Sequence, residues 1–135
     1  MRYILALFIL LGLAACQPPN LTGVAPGVVA PGHLEGHVTI GPLTPVERVG
    51  VPTPTVPPQV YAARQLVVYQ GDGKTVVQRV KIDGEGNYAV SLAPGSYVVG
   101  LAPSGVDRAR DLPADVTITS GMTVTLNVSI DTGIR

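Results

Sequence analysis

Residues 83–99, DGEGNYAVSLAPGSYVV, decide the fold. Tyr88, Val90 and Leu92 alternate with Asn87, Ala89 and Ser91, and after Ala93-Pro94-Gly95 the same period of two resumes with Tyr97 and Val99. Positions two apart share one face of a pleated strand but scatter around a helix, so the pattern specifies two strands that each bury one face. The breaks before and between them are equally specific. Asp83-Gly84-Glu85-Gly86-Asn87 and Ala93-Pro94-Gly95 supply the positive or fixed φ that tight turns require.

The same period extends in both directions. LEGHVTI (34–40) places Leu34, Gly36, Val38 and Ile40 on one face, and RQLVVYQ (64–70) follows after a long gap. TVVQRVKI (75–82) sets Val76, Val80 and Ile82 against Val77, Arg79 and Lys81, and DVTITS (115–120) turns Val116 and Ile118 inward. TVTLNVSI (123–130) directs Val124, Leu126, Val128 and Ile130 to a core and Thr123, Thr125, Asn127 and Ser129 to solvent. Gly71-Asp72-Gly73 and Ser120-Gly121 mark further turns. Seven strands are thus predicted, with a short helical possibility only at GVDRARDL (105–112). The expected architecture is an all-β sandwich.

Asp83, Gly86, Tyr88, Leu92, Pro94, Gly95 and Tyr97 resemble the D-x-x-G-x-Y … L-x-P-G-x-Y signature of carboxypeptidase regulatory-like and related transthyretin-like (prealbumin-like) domains, and Gly36 with Val38 resembles their opening strand. The resemblance covers roughly residues 33–131 and implies a seven-stranded transthyretin-like sandwich; it says little about function, because this fold serves as spacer, docking module and display unit alike. The chain departs from the pattern at GPLTPVERVGVPTPTVPPQVYAA (41–63), where the family has a short connection. A loop of that length with no secondary structure of its own is uncommon in a compact domain. Its six prolines, from Pro42 to Pro58, favour an extended backbone that loses little entropy on docking. Val46, Val51, Pro54, Pro57 and Tyr61 are therefore candidate contacts for a protein or glycan ligand. Prolines also keep loops from pairing as strands, so inert slack is the competing reading.

The N-terminal end carries a different signal. Met1 and Arg2 precede the apolar run YILALFILLGL (3–13), too short to span a bilayer easily, and the small residues Ala14 and Ala15 follow, as in an export signal. The only cysteine, Cys16, comes next, so no internal disulfide can form. Leu13-Ala14-Ala15-Cys16 resembles the lipobox of bacterial lipoproteins, which implies cleavage between Ala15 and Cys16 and acylation of Cys16 by palmitate-type chains. Two or more such chains hold a protein stably at a membrane. Residue 17 is Gln and not the Asp that commonly retains lipoproteins at an inner membrane, which points to the outer membrane where the cell has one. The expected organisation is a signal peptide (1–15), a lipid-anchored Pro/Gly-rich tether (16–32) and a sandwich domain (33–135), facing the periplasm or the exterior.

Composition narrows the chemistry. The formal charge is +0 and the nine basic residues are scattered, which leaves no stripe for phosphates and excludes nucleic acid as the expected partner. His33 and His37 flank Glu35 in HLEGH, but a zinc helix needs the Glu beside the first His, and on a strand positions four apart lie about 13 Å from each other. DGEGNY lacks the later ligands of a calcium loop, since Tyr88 and Pro94 occupy the decisive positions. No metal or cofactor is expected. Some pilin-type sandwiches form a Lys–Asn isopeptide bond, but the first strand here has no Lys; and DTGIR (131–135) does not match the Tyr-Arg-Gly-Ser ending of transthyretin-related hydrolases. Asp131-Thr132-Gly133 resembles an aspartic-protease loop, yet only Ile134 and Arg135 follow it. The expectation is a non-catalytic binding or structural module in which Asp131 accepts backbone N–H bonds and Arg135 folds back towards it or towards Asp115, a local clasp that fixes the chain end. The alternative is a small hydrolase, or a peptidase acting through Asp131.

Overall fold

The computed structural model describes residues 27–45, 50, 52 and 54–134. Cys16, Ala15, Val46, Val51 and Arg135 lie outside the described residues. Two sheets pack face to face as a β-sandwich. The strands are β1 (Gly32–Gly41), β2 (Gln65–Gln70), β3 (Val76–Lys81), β4 (Asn87–Leu92), β5 (Gly95–Leu101), β6 (Arg108–Ala109), β7 (Ala114–Ile118), β8 (Thr123–Thr125) and β9 (Val128–Asp131). The first sheet has the order β4-β1-β9-β6, with β8 also paired to β1; the second has the order β3-β2-β5-β7. Alternation produces the core directly: Leu34, Val38 and Ile40 of β1 meet Tyr88, Val90 and Leu92 of β4 beneath Leu66, Val68, Val99, Val116 and Ile118 of the second sheet. Tyr97, expected inward, is half-buried, and its hydroxyl donates to the Ala93 carbonyl at 2.8 Å.

Ala93-Pro94 does not close a hairpin. It carries the chain from β4 in the first sheet to β5 in the second, and residues 82–86 make the reverse crossing from β3 to β4.

Nine strands stand among the described residues where the sequence pattern predicts seven. One difference lies at GVDRARDL, where a helical turn was possible: Arg108–Ala109 instead pair antiparallel with Asp131 and Ile130. The other lies in TVTLNVSI, which breaks at Leu126-Asn127 into β8 and β9. Both pieces run parallel to β1, β8 beside His33–Glu35 and β9 beside Val38–Gly41. Between them the Leu126 N–H donates to the Glu35 carbonyl at 2.9 Å, and the Asn127 side-chain oxygen accepts the His37 N–H at 2.9 Å in place of a backbone carbonyl. The Leu126 carbonyl turns towards β1, where the buried Tyr88 hydroxyl donates to it. Only glycine admits that approach, since a Cβ at Gly36 would lie 2.0 Å from the Leu126 oxygen.

Candidate partner-binding groove

The long connection after β1 is not structureless. Its last part forms the short helix α1 (Pro58–Ala62), entered from the extended Pro57 with a proline in its first turn, where the missing N–H costs nothing. Amphipathicity docks it: Tyr61 points into the core at 6% exposure, against Gly86, while Gln59 faces solvent. This corrects the expectation for Tyr61, which is a core residue and unavailable to a ligand. Pro54 and Pro57 are exposed, as a contact residue must be.

A clasp absent from the sequence pattern fixes the helix. The Arg64 guanidinium grips Asp107 with two nitrogens, at 2.6 and 3.1 Å, and donates through a third to the Val60 carbonyl at 2.7 Å. The Ser104 hydroxyl donates to the same Asp107 carboxylate at 2.9 Å. The two charged side chains are only 14% and 7% exposed, so the fork ties α1, the start of β2 and the 102–107 loop into one unit.

The root of the long loop is held by the other end of the chain. The buried Thr132 donates its N–H to the Gly41 carbonyl at 3.2 Å and its hydroxyl to the Pro42 carbonyl. Asp131 accepts the Gly133 N–H at 2.9 Å, and Gly133 takes φ 73°, the left-handed conformation such a turn favours. Asp131-Thr132-Gly133 is thus a turn that Thr132 ties to the root of the long loop. Arg135 lies outside the described residues, and Asp115 stands on β7 in the opposite sheet.

An open groove of about 890 Å³ lies between the loop and the ends of β1 and β9. Pro42, Leu43, Pro54, Val56 and Ile134 form its apolar walls, and Arg110 and Asp131 place one charge of each sign on its rim. Such a surface suits a ligand with an apolar body and hydrogen-bonding groups at its margin. Sequence reasoning identified the loop but missed Arg110, Ile134 and Thr132, whose proximity to it arises only through the β1–β9 and β6–β9 pairings.

A second, shallower depression, of about 750 Å³, lies where the polar face of the first sheet meets the end of β3, among Glu35, His37, Lys81, Asp83, Asn87 and Asn127. The His37 Nε2 is 3.1 Å from the Glu85 carbonyl oxygen, whereas the His33 Nδ1 is 3.0 Å from the Ser91 hydroxyl, so the two imidazoles serve different neighbours. Asp83 accepts the N–H groups of Asn87 and Glu85, at 2.8 and 2.9 Å, which lowers its pKa below the usual carboxylate value and makes DGEGN a β-turn built on one carboxylate. Among the described residues no three His, Cys, Asp or Glu side chains converge as metal ligands.

No protein-family model matches the chain, and no curated protein does. Solved structures similar to it include GBS52, the minor pilin of the Gram-positive pathogen Streptococcus agalactiae, at a TM-score of 0.52 and 18% identity over 76% of this chain and 44% of that one. A DUF3823-family protein from Bacteroides ovatus is similar at a TM-score of 0.45 and 17% identity, over 73% of this chain and 44% of that one. The chain therefore spans less than half the length of either, and the likeness to GBS52 is one of fold.

Proposed function

We propose that this chain is a bacterial lipoprotein that displays a non-catalytic, transthyretin-like β-sandwich outside the cytoplasm, anchored through Cys16 and presenting the groove beside the 41–57 loop to an extracytoplasmic protein or glycan ligand. The observation that carries the reading is the sequence Leu13-Ala14-Ala15-Cys16, directly after an apolar run and only sixteen positions before Gly32, where the sandwich begins. A Pro/Gly-rich stretch with no charged residue separates the two, as a tether between an acylated residue and a folded domain requires. The topology adds support. Gly32 opens β1 at one end of the sandwich, whereas the groove is built around Gly41 and Asp131 at the other, so an anchored domain holds the groove away from the lipid. The likeness to a pilin sandwich fits display at a cell surface.

Cell fractionation of a Cys16→Ser variant tests the anchor. The parent partitions with the membrane, and the variant, which lacks the acyl-accepting sulfur, is expected in the soluble fraction or as uncleaved precursor. A processed Cys16→Ser protein that stays tightly membrane-bound would refute the lipoprotein reading.

A further inference from the structure

The end of the sandwich at which the tether enters differs in character from the opposite end. Three hydrogen bonds strap the end of the tether and the start of β1 to the β7–β8 turn: Gly121 N–H to the Pro31 carbonyl at 3.1 Å, the Ser120 hydroxyl to the Ala30 carbonyl at 2.8 Å, and His33 N–H to the Met122 carbonyl at 2.8 Å. Val28, Val29 and Met122 are thereby brought to the same end, exposed to 95%, 65% and 59%. Exposed apolar side chains that form a contiguous patch mark protein or membrane interaction sites. The Ala93-Pro94 crossing lies at this end too, since Gly32 pairs with Leu92 and Gly95 with Ile118.

Residues 27–32, 92–96 and 118–123 contain no charged side chain. The neighbouring 71–75 hairpin adds only Asp72 and Lys74, of opposite sign, and Asp72 is occupied by Thr75 and the Lys74 N–H. The opposite end carries Asp107, Arg108, Arg110, Asp111 and Asp131.

From this arrangement we infer that the tether-side end seats directly on the bilayer, with Val28, Val29 and Met122 entering the interfacial region. The inference rests on the proposed acylation of Cys16. Gly27, the first described residue, follows Cys16 by eleven positions, a span that reaches at most about 40 Å even when fully extended. The bilayer is therefore held within reach of this surface at high effective concentration. Residues 27–32, 92–96 and 118–123 carry no ion whose hydration would be lost on entering the headgroup region, and Val28, Val29 and Met122 gain by removing apolar area from water. The strap matters to the outcome, because it converts a loose leader into a surface of fixed shape and so limits the tilt of the domain.

The chain contains no tryptophan, which makes a single introduced one a clean depth probe. Met122→Trp, Val29→Trp and Val106→Trp are compared in the full lipidated protein, reconstituted in phosphatidylcholine vesicles with and without brominated acyl chains. Val106 is 71% exposed in the 102–107 loop at the far end and serves as the reference. Emission from Met122→Trp and Val29→Trp is expected to shift to the blue and to be quenched several-fold more strongly than that of Val106→Trp. Adding Val28→Asp to Met122→Trp should abolish that excess while the protein still floats with the vesicles. Equal quenching at the two ends, in protein that floats, overturns the seating and leaves the anchor intact. Protein that fails to float overturns the anchor, and the seating with it.

Discussion

Replacing Gly36 by alanine adds one methyl group at the centre of β1, where the structure has no room for it. The new Cβ would stand 2.0 Å from the Leu126 carbonyl oxygen and 2.7 Å from its carbon, with the Tyr88 ring 3.1 Å away. The two near atoms are backbone and cannot rotate aside, so the 126–127 crossover must withdraw by roughly 1 Å to reach a tolerable contact. Withdrawal stretches three hydrogen bonds: Tyr88 hydroxyl to Leu126 carbonyl, Leu126 N–H to Glu35 carbonyl, and His37 N–H to Asn127. At about 1 kcal/mol each, with about 1–2 kcal/mol of overpacking, the loss comes to about 4–5 kcal/mol. That is a large part of the 5–15 kcal/mol typical of a whole domain. Urea denaturation of parent and Gly36→Ala protein, followed by circular dichroism, measures it through the shift of the midpoint. A loss below about 1 kcal/mol would show that the crossover yields freely, and would refute the claim that Gly36 is required by the close approach of Leu126.

Asp107→Ala should cost about 2–3 kcal/mol, less than a fully buried pair because Arg64 keeps the Val60 carbonyl; Arg64→Met with Asp107→Leu should recover most of it, and a denaturation cycle over the variants checks both values. Tyr61→Ala should destabilise by about 3 kcal/mol through the cavity it opens beside Gly86; a melting temperature equal to the parent's would place α1 outside the core. Burial pushes the Tyr88 phenol up to about 12 from 10.0, so the folded chain holds its proton where the unfolded chain has lost it. Stability from this group is complete below pH 10.0 and falls as pH rises towards about 12, by on the order of 2 kcal/mol; Tyr88→Phe should remove that slope from denaturation midpoints measured across the range.

The sequence by itself determined the fold class and most of the core. A period of two needs no partner to be legible, because alternation follows from the pleat of each strand, and Tyr88, Val90, Leu92, Val116 and Ile118 are buried as their positions require. The turns were equally legible: Gly73, Gly86 and Gly121 take positive φ, a local demand met by a local residue. Pairing and exposure at the chain's irregular points were decided elsewhere. Asn127 reads as a solvent-facing residue of one long strand, and only the nearness of His37, ninety positions earlier, turns its side chain into a rung of the sheet that splits that strand in two. Tyr61 reads as part of an exposed proline-rich loop; what buries it is the gap beside Gly86, which exists only once β4 lies against β1. The groove has the same origin. Pro54 and Arg110 belong to unrelated segments whose patterns say nothing of each other, and they share a surface because β9 lies between β1 and β6, a long-range pairing that no local propensity encodes.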